Sequence, residues 1–186
     1  MFSKNINFRN FYKNKNNKKI RKEFNFLVKE NIEVIKSLGS SYKYKYKKKL
    51  ILSLKKFTNI RVIGMGGSIL ATEAIYNFLK KKINKKFFFV NNIKNEDFYK
   101  KKDKNFLNLI VSKSGNTLET ISNLNILLNK KDKNIFITEK KNSYIFQIAH
   151  QLKSEIIEHN NFIGGRYSVL SEVGMLPAEL MGLNVN

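Results

Sequence analysis

The sequence predicts an α/β fold: a parallel sheet between two layers of helices, a three-layer αβα sandwich, preceded by N-terminal helices. Three observations predict it. Short apolar runs at Ile60–Ile63, Phe87–Val90, Leu107–Val111 and Ile135–Thr138 alternate with segments of helical spacing. Short, mostly apolar strands alternating with helices are what a parallel sheet covered on both faces requires. Glycine- or hydroxyl-rich turns, Gly64–Ser68 and Ser112–Thr117, directly follow two of them, at the sheet edge where such folds bind ligands.

Residues 1–58 read as an N-terminal arm and helices, and residues 59–186 as the sheet domain. Met1–Lys19 is rich in Asn and Lys and reads as an extended arm. From Ile20 to Leu38, Phe24, Leu27, Val28, Ile32 and Ile35 fall mostly three or four apart, which predicts one helix with a buried stripe, ended by Gly39. Tyr46, Leu50, Leu54 and Phe57 continue that spacing, so Tyr42–Phe57 reads as a second helix with Lys43–Lys49 mainly on its solvated face.

The strand Ile60–Ile63 ends in Gly64. A helix over Ile69–Lys80 follows, with Ile75, Phe78 and Leu79 expected towards the sheet. After the strand Phe87–Val90, Asp97–Lys102 reads as a short helical turn. The strand Leu107–Val111 precedes a helix over Leu118–Leu128, the strand Ile135–Thr138 one over Tyr144–Leu152, and Ile156 and Ile157 a short edge strand. Val169–Leu183 reads as helical, broken or bent by the single proline, Pro177.

Composition limits the function classes. With 186 residues and 42% hydrophobic content the chain can build a core. No apolar run approaches the ~20 residues that span a bilayer, and no compact apolar leader is evident, so the expectation is a cytoplasmic protein without membrane partners. With no cysteine, thiolate metal sites and thiol nucleophiles are excluded, and the two histidines, His150 and His159, suggest no metal site. The net charge of +22 invites a nucleic-acid reading. Against it, arginine is scarce and tryptophan absent, and the excess of Lys, Asn, Ile and Phe together is a compositional bias. Salt-sensitive sticking to polyanions is expected, specific nucleic-acid binding is not.

The motif Ser112-Lys113-Ser114-Gly115-Asn116-Thr117 joins a buried strand to a helix start. Gly115 permits a sharp turn, and Asn116 with Glu119 has the spacing of a capping box. Hydroxyls of Ser112, Ser114 and Thr117, the Lys113 ammonium and the N–H groups of the helix start suit a phosphate dianion. The motif Gly64-Met65-Gly66-Gly67-Ser68 lets a ligand approach the backbone and adds the Ser68 hydroxyl. It is not a dinucleotide fingerprint, since Ile69 stands where a third glycine belongs. In Gly164-Gly165-Arg166-Tyr167-Ser168 a glycine pair turns the chain and presents Arg166, whose fixed charge suits a phosphate or a developing oxyanion.

GMGGSIL, SKSGNTLET and GGRYSVLSEVGMLPAELMGLN, in this order over the last two thirds of the chain, resemble the glucose-6-phosphate isomerase family, in particular its N-terminal sugar-isomerase (SIS) domain of flavodoxin-like fold. The resemblance implies that Gly67 and Ser68 lie near substrate, that Ser112, Lys113, Ser114 and Thr117 bind its phosphate, and that Gly165 and Arg166 stand beside the reacting carbons, with Arg166 stabilising an enediolate. It implies interconversion of glucose 6-phosphate and fructose 6-phosphate in glycolysis and gluconeogenesis, without metal or cofactor, in a homodimer. Ala71 departs from the family's usual glycine. The resemblance also places the base glutamate, the ring-opening histidine, a catalytic lysine and a second SIS domain beyond the matched arginine segment. Glu172 and Glu179 do not match the base. The expectation is therefore an N-terminal half that holds phosphate and turns over little, and a non-catalytic or regulatory module binding a phosphosugar stays open as the alternative.

Overall fold

The computed structural model describes residues 17–30, 32–93, 105–129 and 132–185. A five-stranded, wholly parallel sheet is built from β1 (Asn59–Gly64), β2 (Lys86–Val90), β3 (Leu107–Val111), β4 (Lys133–Thr138) and β5 (Glu155–Glu158), in the order β2-β1-β3-β4-β5. Among the described residues three helices precede it: α1 (Lys18–Lys29), α2 (Glu33–Lys36) and α3 (Lys48–Leu54). Between and after the strands come α4 (Gly67–Leu79), α5 (Leu118–Leu127), α6 (Tyr144–Gln151) and α7 (Glu172–Leu180), the last preceded by a 3₁₀ segment at Gly165–Leu170.

Alternate residues of the strands feed two cores, because successive side chains point to opposite faces. Ile60, Val62, Leu107, Leu109, Val111, Ile135 and Ile137 pack against α3, α4 and α7 through Leu54, Ile69, Val173, Leu176 and Leu180. On the other face Ile63, Ile110 and Phe136 meet α5 and α6 through Leu124, Leu127, Ile145 and Ala149. That same face carries a buried polar row at the paired positions Arg61, Asn108 and Asn134. Arg61 donates to Asn108 Oδ1 (3.0 Å), Asn108 donates to Asn134 Oδ1 (2.8 Å), and Asp132 stands 3.5 Å from the guanidinium. The row is buried with its charge compensated, as a buried arginine must be.

Four expectations need correction. Ile20–Leu38 is two helices, with extended backbone at Glu30 and Ile32. No residue of α1 is buried, and Ile20, Phe24, Leu27 and Val28 stand exposed, so among the described residues no packing partner sustains the helix past Lys29. Within Tyr42–Phe57 only Lys48–Leu54 is helical. Residues 42–47 are held instead by α7: Tyr42 and Tyr46 donate their hydroxyls to Glu172 and Glu179, and the Lys45 N–H bonds Glu172. Phe78 is 88% exposed rather than turned to the sheet, because the inner face of α4 is Ile69, Thr72, Ile75 and Leu79. Finally, Val169–Leu183 divides at Ser171, which N-caps α7.

Pro177 lies inside α7 and does not break it. A proline cannot bond the carbonyl four residues back. Here that carbonyl, on Val173, accepts the Thr72 hydroxyl of α4 at 3.1 Å. The expected arm over Met1–Asn16 and the turn at Asp97–Lys102 lie outside the described residues.

Candidate functional site

The order β2-β1-β3-β4-β5 reverses direction between β1 and β3, and a crevice opens beyond the carboxyl ends of strands at such a point. The glycine–serine motif leaves β1 there and the hydroxyl motif leaves β3. Gly64 pairs with Val111, and a Cβ on Gly64 would stand 2.9 Å from the Val111 carbonyl oxygen, so the two loops start side by side.

Gly66 has φ 56° and ψ −128°, a backbone reserved for glycine, and turns the chain directly into α4. Gly67 needs to be small for another reason. A Cβ there would collide with the carbonyl of Gly165, so the first and third motifs touch through their backbones. Ser168 secures the contact by bonding the Gly165 carbonyl (2.7 Å) and the Gly67 carbonyl (3.3 Å). The space expected for a ligand at Gly67 is thus taken by the Arg166 segment. The glycine pair of that segment adopts no left-handed backbone. Arg166 itself is exposed and makes no hydrogen bond or ion pair among the described residues.

In the hydroxyl motif Ser112 is buried, its Oγ accepting from Gly115 N–H (3.1 Å) and lying 3.2 Å from Thr117 Oγ1. Ser114 Oγ is 3.4 Å from the same Thr117 oxygen. Gly115 takes φ 69° against Ser143, where no Cβ would fit. The capping box does not form. Thr117 is the N-cap of α5, and Asn116 instead accepts the Tyr144 N–H at 2.9 Å, tying the loop to α6. Glu119 is then one position too early to close the box. The first N–H groups of α5 therefore face the hydroxyl cluster with no side-chain cap.

Lys113 does not join that cluster. Its ammonium donates to the Asn161 carbonyl (2.6 Å) after β5 and lies 3.7 Å from Glu139 after β4. The sequence placed a free positive charge over the phosphate, whereas the structure draws it sideways along the sheet edge. Ser112, Ser114 and Thr117 are thus brought together, Gly67 meets Gly165 where the loop from β1 enters α4, and Lys113 stands at the flank of the hydroxyl loop.

Sequence reasoning missed a second set of groups at this edge. Glu172, at the start of α7, is 1% exposed and accepts from Tyr42 Oη (2.9 Å) and Lys45 N–H (2.8 Å). Asn160 donates to the same Tyr42 oxygen at 2.7 Å. Burial and the Glu172 charge both push the Tyr42 pKa up, which keeps its hydroxyl a donor. The signal was the alternation Tyr42, Tyr44, Tyr46, a period of two that belongs to an extended segment. Next to it His159 is buried, its Nδ1 3.1 Å from the Asn160 carbonyl, and burial pulls its pKa down.

The sequence model of phosphoglucose isomerase matches residues 28–184. The chain belongs to the phosphoglucose isomerase family. It is 35% identical over 154 residues to the glucose-6-phosphate isomerase of Methanocaldococcus jannaschii, covering 72% of this chain and 35% of that protein. It is 36% identical over 140 residues to that of Borrelia garinii, covering 65% and 26%. The chain thus spans about a quarter to a third of the length of these relatives. Among solved structures, a hypothetical protein from Thermus thermophilus superposes with a TM-score of 0.61 at 23% identity, over 74% of this chain and 38% of that one. A tagatose-6-phosphate ketose/aldose isomerase from Escherichia coli gives 0.57 at 14%, over 75% and 41%. These likenesses show the SIS-type fold. Family membership covers α2 to α7 and leaves nearly all of α1 outside the matched residues.

Proposed function

We propose that this chain is the phosphosugar-binding N-terminal part of a glucose-6-phosphate isomerase, an enzyme interconverting glucose 6-phosphate and fructose 6-phosphate. The observation that carries the reading is the convergence of the Ser112, Ser114 and Thr117 hydroxyls with the uncapped start of α5, beside the loop from β1, where Gly67 meets Gly165. A phosphate dianion takes the hydroxyl and amide donors, and the helix start favours its charge. Lys113 adds its charge from the flank.

Arg166 is exposed and unengaged among the described residues, which suits a group waiting for substrate. Isomerisation moves one proton between C1 and C2 and passes through an enediolate, whose negative oxygen a guanidinium stabilises without itself transferring a proton. The proton needs a separate base. Glu172 and Glu179 do not supply it, being held by Tyr42 and Tyr46. In this reading the base comes from another part of the whole enzyme, which acts as a cytoplasmic homodimer without cofactor. Taken by itself the chain binds a phosphosugar without turning it over.

The test is thermal protection. Fructose 6-phosphate raises the melting temperature of the chain, and fructose at the same concentration does not. Equal effects of the two sugars, or none from either with the fold intact, would remove the proposal.

A further inference from the structure

Tyr42 stands between two parts of the site edge that the sheet itself does not join. Its hydroxyl donates to Glu172 at the first position of α7, and Glu172 also receives the Lys45 N–H. The 3₁₀ segment carrying Arg166 runs directly into that helix through Ser171. The same Tyr42 oxygen accepts from Asn160. Asn160 lies in the turn after β5, its carbonyl bonded by Ile163 N–H, and the next carbonyl, of Asn161, receives the Lys113 ammonium. One hydroxyl thus has the arginine side on one arm and the lysine side on the other.

From this geometry we infer that Tyr42 is a positioning residue: it fixes the loop after β5, and with it Lys113, relative to the Arg166 segment. The binding consequence rests on the proposed phosphosugar site, and the coupling itself does not. Tyr42 is half-buried, while Glu172 and Asn160 are 1% and 8% exposed, so the link runs beneath the surface. Its hydrogen bonds of 2.7 to 2.9 Å are well made on both arms. Tyr44 stacks on Tyr46 with ring centroids 5.3 Å apart and meets Tyr42 edge-on at 5.6 Å, which stiffens the segment holding the hub.

Tyr42→Phe alone leaves Glu172 buried with one donor fewer and can lower stability for that reason. The decisive variant is the 186-residue chain carrying Tyr42→Phe with Glu172→Gln, which removes both the hydroxyl and the buried charge. Amide hydrogen exchange is read at Ile163, in the loop, and at Ser171, at the end of the arginine segment. Both N–H groups are bonded locally, to the carbonyls of Asn160 and Ser168. At a melting temperature matched to the parent by choice of denaturant, exchange at both amides rises about tenfold or more, together. Asn160→Ala, which cuts one arm only, raises exchange at Ile163 and leaves Ser171 unchanged. Parent-like exchange at Ile163 and Ser171 in the double variant overturns the inference, as does a rise at only one of them. Fructose 6-phosphate affinity, measured alongside, falls several-fold in the double variant. If the parent itself binds no phosphosugar, the proposed function fails and the exchange result still decides the coupling.

Discussion

The backbone of Gly67 at the start of α4 rests against the carbonyl of Gly165, with no room for a Cβ between them. This contact joins two motifs a hundred residues apart in sequence and sets where Arg166 emerges. Gly67→Ala must push the arginine segment away or shift α4. The expected cost is about 1–3 kcal/mol, the range for overpacking a tight contact. Denaturant unfolding measures it, and fructose 6-phosphate affinity should fall as well. Gly165→Ala is the control. A Cβ there has only ordinary contact, 3.9 Å from the Gly67 Cα, so its effect should be smaller.

Thr72 replaces the hydrogen bond that Pro177 denies to Val173. Thr72→Val leaves that buried carbonyl without a donor and should cost about 1–3 kcal/mol. Adding Pro177→Ala restores a helical N–H to the same carbonyl. The double variant should therefore be more stable than Thr72→Val alone, whereas independent effects would add.

Thr117 holds the centre of the hydroxyl cluster, 3.2 Å from Ser112 and 3.4 Å from Ser114. Thr117→Val keeps the shape and removes the oxygen. Fructose 6-phosphate affinity should drop about tenfold or more, a loss of the size expected for a hydrogen bond to a charged group. Lys113→Ala should weaken affinity less, because Glu139 already offsets much of that charge. Isothermal titration of the two variants compares them directly.

His159 gives a pH signature. Burial, reinforced by the Lys113 charge, lowers its pKa below the ordinary 6.5. The unfolded chain then binds more protons than the folded one between the lowered value and 6.5, so stability rises with pH across that window. The contribution is complete above 6.5 and lost as the pH falls towards the folded value. His159→Gln should flatten the dependence of unfolding free energy on pH below 6.5, with the parent showing the steeper loss.

The strands were legible because each carries a short, mostly apolar run, and the helix after β1 because Ile75 and Leu79 stand four apart. The strand order was not, since all five are parallel and nothing in their residues names a neighbour. Composition also hid the Tyr42–Tyr46 segment: lysines fill the intervening positions, and the spacing from Tyr46 to Leu50 and Leu54 mimics a helix. The site was half legible. Hydroxyls clustered as their spacing in the turn suggested. Lys113 did not, because its destination depends on Glu139 and Asn161, which belong to other loops. The glycines at Gly66 and Gly67 were read as room for a ligand, whereas at Gly67 the missing side chain makes room for the backbone of Gly165.

A titration of the ¹⁵N-labelled chain with fructose 6-phosphate, following backbone amides, decides whether the hydroxyl loop after β3 holds the phosphate. The largest shifts are expected at Ser114–Glu119, with smaller ones at Gly67, Ser68 and Arg166. Shifts confined to the opposite sheet edge, around the depression lined by Phe57, Thr58, Asn59 and Asp132, would contradict it.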